Sequence, residues 1–218
     1  PCKFLGYLFF LFCARYNNAM IKVAINGMGR IGRAFLRLAM KHPEINIVAL
    51  NDVGDPHVTA YLIKYDTVYG RAPFPVEVTD GTIALNGTKI VAVSERDPSK
   101  LPWGKLGIDL VIESTGVFES YEKASAHLKA GAKRVLITAP TKDDPPAEIL
   151  GGTVLMGINE GKLQELQISS NASCTTNAGS PLIAILDEAI GIEKALLNTV
   201  HAYTGTQELV DSAGDKKD

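Results

Sequence analysis

The sequence contains few cysteines, and their spacing matches neither a disulfide framework nor a metal site. Of 218 residues, only Cys2, Cys13 and Cys174 are cysteine. An odd, widely scattered set does not predict paired disulfides. No two of the three have the close spacing of zinc ligands. We therefore expect no metal centre, and we expect the protein to work in a reducing compartment, the cytoplasm.

The chain also lacks a strong charge imbalance. It has 22 Lys and Arg residues against 24 Asp and Glu residues, a formal net charge of −2. This balance gives no electrostatic reason to expect a nucleic acid or a membrane surface as a partner. The remaining composition, 46% hydrophobic and 21% charged, is that of an ordinary globular protein.

Long hydrophobic runs are missing as well, apart from one near the start of the chain. Residues 4–14 are almost entirely apolar, but a bilayer span needs roughly 20 residues. The run has the length of a signal-peptide core, yet the chain begins with Pro1, and a strand pattern begins directly after Met20. We interpret residues 1–19 as a non-native or disordered extension. An export signal and a membrane-associating leader are the alternatives.

From Met20 onward, strand-like and helix-like patterns alternate. Strands are predicted at residues 21–25, 47–50, 109–113 and 135–138, with further strands near 154–156 and 166–169, and helices at 31–40, 58–65 and 121–130. Apolar strands alternating with helices predict an α/β fold with a Rossmann-type doubly wound parallel sheet, covered on both faces. Asp80-Gly81 and Asn86-Gly87 predict antiparallel hairpins between residues 75 and 93. We assign residues 20–171 to this domain and 172–218 to the start of a second, α+β domain.

A glycine-rich motif follows the first predicted strand. Gly27, Gly29 and Gly32 form a GxGxxG, and Asp52 follows Gly32 by 20 residues at the end of the second strand. A strand, this motif, a helix and an acidic residue at that distance are typical of a dinucleotide site. The helix start would bind the pyrophosphate, and Asp52 would bind the adenosine ribose. Because its charge repels a 2′-phosphate, NAD is favoured over NADP.

One cysteine and one histidine are candidates for chemistry. Cys174 precedes an amphipathic run and is predicted to lie at a helix N-terminus, where the helix dipole favours a thiolate. His201 directly follows a β-rich run at residues 196–200. It could serve as base and acid if it reaches the cysteine. On the residues alone, a small buried cysteine and a structural histidine remain alternatives.

Seven motifs in order resemble the glyceraldehyde-3-phosphate dehydrogenase family. They are NGMGRIGR (26–33), KYDTVYG (64–70), ERDP (95–98), ESTGVF (113–118), AGAKRVLITAP (130–140), SNASCTTN (170–177) and TVHAYTGTQ (199–207). The resemblance covers residues 20–218.

The resemblance implies a role for each matching residue. Cys174 matches the nucleophile and His201 its activating base. The positions matching coenzyme contacts are Arg30 and Ile31 at the pyrophosphate, Asp52 at the adenosine ribose, Arg96 near the adenine and Thr138 beside the nicotinamide ribose. The positions matching the sites of substrate phosphate and inorganic phosphate are Ser173, Thr175 and Thr204.

The implied activity is the NAD-dependent oxidation of glyceraldehyde 3-phosphate with inorganic phosphate, giving 1,3-bisphosphoglycerate and NADH in glycolysis, by a homotetramer. The sequence leaves erythrose-4-phosphate dehydrogenase and a coenzyme-binding module without catalysis as alternatives. A Cys/His hydrolase would leave the glycine motif and Asp52 unexplained.

The sequence departs from the family pattern in two places. The position four residues after the nucleophile, commonly a second cysteine in the family, is Ala178 here. By the same resemblance, the chain ends before the arginine that binds substrate phosphate and the asparagine that orients the nicotinamide. We therefore expect a truncated catalytic domain.

Overall fold

The computed structural model describes residues 20–79 and 82–204. The predicted extension at residues 1–19, the predicted Asp80-Gly81 turn and residues 205–218 lie outside the described residues.

The described residues contain alternating strands and helices, as the sequence predicts. The strands are β1 (Ile21–Asn26), β2 (Ile45–Asn51), β3 (Val76–Thr79), β4 (Thr82–Leu85), β5 (Thr88–Val93), β6 (Leu110–Glu113), β7 (Arg134–Ile137), β8 (Gly151–Thr153) and β9 (Ile168–Ser170). The α-helices are α1 (Arg30–Ala39), α2 (Pro56–Lys64), α3 (Trp103–Leu106), α4 (Tyr121–Lys129) and α5 (Cys174–Ile190). Two short 3₁₀ turns, Pro98–Lys100 and Glu160–Gln164, complete this part of the chain.

Within the described residues, the strands form one sheet in the order β3-β4-β5-β2-β1-β6-β7-β9-β8. From β5 to β8 every neighbouring pair is parallel, while β3 with β4 and β4 with β5 are antiparallel. From β1 the chain moves to β2 on one side, and it later returns past β1 to form β6 on the other side. The centre of the sheet is therefore doubly wound. The predicted Rossmann-type class is confirmed.

Both faces of the central strands are covered. Val23 and Ile25 of β1 pack on one face with Phe35 of α1 and Ile63 of α2. Ala24 packs on the opposite face, in a cluster with Trp103, Val111 and Ala124. Because neighbouring residues of a strand point to opposite faces, a nearly continuous apolar strand requires cover on both sides, and the helices provide it.

The hairpin at Asn86-Gly87 is confirmed, since Leu85 pairs with Thr88 across a two-residue loop. Asn86 and Gly87 have φ values of 50° and 78°. Two positive φ angles are what a type I′ hairpin turn requires, and Asn-Gly is the pair that adopts them most readily.

One strand prediction and one β-rich run differ from the structure. Residues 154–156, predicted as a strand, follow β8 instead and are buried apolar residues in a loop. The strand itself lies at Gly151–Thr153, where pairing with β9 forms it. Glycine is needed there because a Cβ on Gly151 would lie 2.8 Å from the Tyr121 ring. The β-rich run at 196–200 forms no strand in the described residues, and Leu196 and Val200 are almost fully exposed there. β-propensity needs a neighbouring strand to pair with.

Among the described residues, no helix has the length and apolar character to cross a bilayer.

Candidate functional site: a dinucleotide crevice beside a Cys–His pair

The glycine motif makes a tight connection between β1 and α1. Gly27 has φ 93°, and a Cβ on it would lie 2.7 Å from the backbone nitrogen of Thr115. A Cβ on Gly32 would lie 2.1 Å from the carbonyl oxygen of Gly27. No side chain fits at either distance, so these two glycines allow the helix and the strand to approach each other.

Gly29 has a different environment. It is the N-cap of α1, it provides no side-chain cap, and no atom lies within 4 Å of the place where its Cβ would stand. No N-cap side chain therefore occupies the start of α1. An uncapped helix N-terminus at a tight glycine turn is the arrangement that binds the pyrophosphate of a dinucleotide. The chain thus fits the coenzyme that its motif predicts, with Arg30 and Ile31 as the first two helical residues.

Asp52 follows the end of β2 and is half-buried beside this loop. Its carboxylate accepts hydrogen bonds from the backbone N–H of Met28 at 2.6 Å and of Gly54 at 2.8 Å. The carboxylate is thereby fixed next to the glycine turn. Because each oxygen has two lone pairs, both can still accept a hydrogen bond from a ribose hydroxyl.

The topology places the crevice between β1 and β6, where crossovers leave the sheet in opposite directions. Ligands of open α/β sheets bind at such a switch point, outside the carboxyl ends of the strands. Thr138 directly follows β7, and its hydroxyl donates to the carbonyl oxygen of Glu113 at 3.0 Å. Arg96 lies beyond the end of β5 and is exposed. Both residues are therefore at the carboxyl edge of the sheet, on opposite sides of the switch point.

Cys174 is the first residue of α5, as predicted. Ser173 is the N-cap, and its hydroxyl accepts from the backbone N–H of Thr176 at 2.9 Å. Just before it, Ala172 has φ 55°, the left-handed region that favours glycine. The Asn177 side-chain amide donates to the carbonyl oxygens of Asn171 and Ser173 at 2.7 and 2.8 Å. The loop that carries the cysteine is therefore held at several points.

The segment after α5 brings His201 back to the start of that helix. Gly191 has φ 74° and ends the helix, and Leu197 lies against Gly179. A helix of 17 residues is about 25 Å long, and ten extended residues reach roughly 33 Å. The segment is therefore long enough to return to the helix start.

Cys174 Sγ and His201 Nε2 lie 3.0 Å apart. His201 Nδ1 lies 2.6 Å from the carbonyl oxygen of Ala202, which can only accept, so Nδ1 carries a proton. Nε2 is then the nitrogen that exchanges a proton with the thiol. Thr175 lies next to the cysteine in the first turn of α5, and Thr204 is an exposed residue three positions beyond His201.

The cysteine and the histidine alter each other's acidity. The hydrogen bond from His201 is the main cause that lowers the pKa of the Cys174 thiol, and the nearby imidazolium charge and Thr175 lower it further. In return, the bond to Cys174 raises the pKa of His201, with help from the Ala202 carbonyl. Both shifts act toward a thiolate facing an imidazolium, and a thiolate is the nucleophilic form of cysteine.

Two groups of site residues were missed by the sequence reasoning. Tyr203 lies with its ring centre 5.9 Å from the Arg30 guanidinium, which joins the histidine segment to the coenzyme loop. A buried polar network around Glu113 lies beneath the crevice. A glutamate inside the apolar strand run 109–113 was the sequence signal for the second group.

Comparisons with known proteins agree with this geometry. The family model described as "Glyceraldehyde 3-phosphate dehydrogenase, NAD binding domain" matches residues 21–121, and the one described as "Glyceraldehyde 3-phosphate dehydrogenase, C-terminal domain" matches residues 173–217. The first matched segment contains the glycine motif and Asp52, and the second contains Cys174 and His201.

Several proteins named glyceraldehyde-3-phosphate dehydrogenase are similar to the chain. The one from Streptomyces coelicolor is 47% identical over 194 residues, covering 88% of this chain and 56% of that protein. The one from Thermotoga maritima is 48% identical over 195 residues, covering 88% and 57%. The cytosolic one from Trypanosoma brucei brucei is 46% identical over 197 residues, covering 90% and 58%. The chain spans a little more than half the length of these relatives.

The two family models match the parts of the fold that carry the crevice and the Cys–His pair, and the relatives align over most of the chain, so the chain belongs to the glyceraldehyde 3-phosphate dehydrogenase family.

Proposed function

We propose that this protein catalyses the NAD-dependent, phosphorylating oxidation of glyceraldehyde 3-phosphate to 1,3-bisphosphoglycerate, a glycolytic reaction. The observation that carries the proposal is the 3.0 Å contact between Cys174 Sγ and His201 Nε2. It lies at the N-terminus of a helix, next to a crevice suited to a dinucleotide. A nucleophile with an adjacent base is the arrangement of covalent catalysis.

Cys174 and His201 carry the chemistry in this proposal. The Cys174 thiolate attacks the aldehyde carbon while His201 Nε2 donates its proton to the aldehyde oxygen, which gives a thiohemiacetal and a neutral His201. His201 Nε2 accepts the proton of the thiohemiacetal hydroxyl as the carbon is oxidised to a thioester, and inorganic phosphate then displaces the sulfur. NAD, when bound, accepts the hydride. A sulfur nucleophile suits the second step because a thioester remains reactive toward phosphate.

The other proposed site residues bind and orient. Gly27, Gly29 and Gly32 shape the turn at the pyrophosphate, Arg30 and Ile31 begin the helix beside it, and Asp52 binds the adenosine ribose. Arg96 and Thr138 lie toward the adenine and the nicotinamide ribose, at opposite sides of the crevice. Ser173, Thr175 and Thr204 bind the phosphate groups; all three lie within three residues of Cys174 or His201 in sequence.

The proposal extends to the cell and to assembly. We place the protein in the cytoplasm, since the relative from Trypanosoma brucei brucei is named as cytosolic. We propose a homotetramer, which the family resemblance implies, and analytical ultracentrifugation tests this directly. The division into residues 20–171 and 172–218 is likewise a proposal, and limited proteolysis near residue 171 would examine it.

The test is NADH formation from glyceraldehyde 3-phosphate, NAD and inorganic phosphate. Cys174→Ser should abolish phosphate-dependent NADH formation, because a serine hydroxyl is a far weaker nucleophile than a thiolate. His201→Asn should lower the rate by roughly 10²- to 10⁴-fold, the usual contribution of a general base. Lys41→Ala, at an exposed residue just beyond the C-terminal end of α1, serves as the matched control and should match the wild type.

Calorimetric titration with NAD separates binding from chemistry. Cys174→Ser should bind NAD as the wild type does. Normal turnover by Cys174→Ser would overturn the assignment of the nucleophile. A wild-type chain that binds NAD but forms no NADH with phosphate present would overturn the catalytic proposal and leave a coenzyme-binding function.

A further inference from the structure

Glu113, at the end of β6, is an unusual residue for the centre of a parallel sheet. Its side chain is 2% exposed, and β6 lies between β1 and β7. A buried carboxylate is costly unless it is fully hydrogen-bonded. The reaction proposed above assigns Glu113 no task, so its retention in the core calls for another reason.

Four hydrogen bonds end on this carboxylate, two on each oxygen. Oε2 accepts from the Asn26 side-chain amide at 2.6 Å and from His127 Nε2 at 2.9 Å. Oε1 accepts from the Thr115 backbone N–H at 2.8 Å and also from the Thr115 hydroxyl. Every partner acts as a donor, so only a group that accepts at both oxygens satisfies all four bonds.

The proton on His127 follows from its other neighbour. His127 is fully buried, and its Nδ1 lies 3.0 Å from Trp103 Nε1. An indole nitrogen only donates, so Nδ1 accepts and the proton is on Nε2, facing Glu113. Trp103, 0% exposed, anchors the imidazole. The buried side of the carboxylate is therefore rigidly held.

The other side of the carboxylate holds the loop at residues 114–117. Besides the two bonds to Thr115, the Thr115 hydroxyl oxygen accepts from the backbone N–H of Val117 at 3.1 Å. Ser114 Oγ lies 2.8 Å from the Gly27 carbonyl oxygen. This loop faces the glycine turn across the switch point between β1 and β6.

We infer that Glu113 is a positioning residue of the coenzyme site: its carboxylate, held by Asn26 and His127, fixes the 114–117 loop that packs against the glycine turn. A Cβ on Gly27 would lie 2.7 Å from the Thr115 backbone nitrogen, so this loop supports the turn that binds the pyrophosphate. This inference rests on the proposed binding of NAD.

The substitution Glu113→Gln tests the inference with nearly unchanged volume. Glutamine replaces one of the two acceptor oxygens by an NH₂ group, which donates. Because every partner in this network is also a donor, the hydrogen bonds at that position are lost, and the loop is held less firmly. We expect the dissociation constant for NAD to rise about tenfold, the usual effect of one lost charge-assisted hydrogen bond. The dissociation constant for ADP, which also places a pyrophosphate at the glycine turn, should rise by a similar factor.

Two matched variants separate positioning from general destabilisation. Val135→Ala removes methyl groups from a buried residue of β7 and should lower the melting temperature without changing the dissociation constant for NAD. Thr115→Val removes the hydroxyl that bridges Glu113 and Val117, and it leaves Glu113 in place should Glu113→Gln not fold. It should weaken the binding of NAD and of ADP alike.

Amide hydrogen exchange provides a measurement that does not depend on NAD. Glu113→Gln should speed the exchange of the Thr115 and Val117 amides in the free protein, whereas Val135→Ala should not. Unchanged exchange, or unchanged binding of both NAD and ADP, would overturn the inference. Absence of NAD binding by the wild type would overturn the proposed function instead. The hydrogen-exchange rates would still show whether Glu113 fixes the loop.

Discussion

Gly32→Ala is expected to destabilise the fold by crowding α1 against β1. A Cβ at Gly32 would lie 2.1 Å from the Gly27 carbonyl oxygen and 2.9 Å from Ser114 Oγ. The first neighbour is backbone, at a turn where Gly27 itself is fixed by Thr115, so α1 must move outward. Overpacking of this kind costs about 3 kcal/mol.

Part of that cost is offset because alanine favours helix and restricts the unfolded chain. These effects return up to about 1 kcal/mol, which leaves a net loss of about 2 kcal/mol. In a protein of this size, each kcal/mol shifts the melting temperature by roughly 2–4 °C. Differential scanning calorimetry should therefore show a drop of roughly 4–8 °C.

The control is Gly29→Ala, in the same motif. No atom lies within 4 Å of the Cβ position there, and the φ of −65° is open to alanine. Alanine is a poor N-cap, so a loss of up to about 1 kcal/mol is expected, together with weaker NAD binding, because the methyl group faces the helix N-terminus. Equal melting temperatures for Gly32→Ala and the wild type would refute the steric argument, as would a larger loss for Gly29→Ala.

Three further predictions concern the site. The pKa of the Cys174 thiol is lowered by His201, so its thiolate persists to lower pH than that of an ordinary cysteine. When the rate of alkylation of Cys174 by iodoacetamide is plotted against pH, His201→Asn should move the midpoint to higher pH, toward about 8.5. Identical pH profiles for the variant and the wild type would contradict this. Ala172→Gly should stabilise the protein by up to about 1 kcal/mol in urea unfolding. The left-handed backbone costs about 1–2 kcal/mol for alanine, and the greater chain entropy that glycine loses on folding offsets roughly 0.5–1 kcal/mol of the gain. A loss of stability would contradict the idea that Ala172 is strained. Asp52→Asn should reduce the ratio of the NADP dissociation constant to the NAD dissociation constant by about fivefold, because like charges about 4 Å apart in water repel by about 1 kcal/mol. Calorimetric titrations in which both dissociation constants are unchanged would contradict a role for the charge.

The sequence could predict those parts of the fold in which the local residue pattern agrees with the tertiary packing. β6 is fully buried and β1 is buried except at Lys22, so both strands appear in the sequence as nearly continuous apolar runs. The Asn86-Gly87 turn has a dipeptide that readily adopts the two positive φ angles of its backbone. The position of Cys174 at the start of α5 follows from the small polar residues before an amphipathic run.

The failures have a common physical cause, which is dependence on distant neighbours. β8 is a Gly-Gly-Thr strand with almost no β-propensity, and pairing with β9 creates it. The 196–200 run has high propensity and forms no strand in the described part of the chain. Sequence could not show that His201 reaches Cys174 either, because that contact depends on Gly191 ending the helix and on Leu197 packing back against it.

The central position of β1 has a consequence for how the chain folds. β1 is made first, yet its partner β6 follows 87 residues later, as the pairing of Val23 with Leu110 shows. At a synthesis rate of roughly 5–20 residues per second, one edge of β1 stays unpaired for about 4–17 seconds. During that time β1 exposes unpaired backbone N–H and C=O groups at this edge, together with its apolar side chains. We therefore expect folding of this domain to be slow, as is usual for long-range parallel pairing, and sensitive to chaperones.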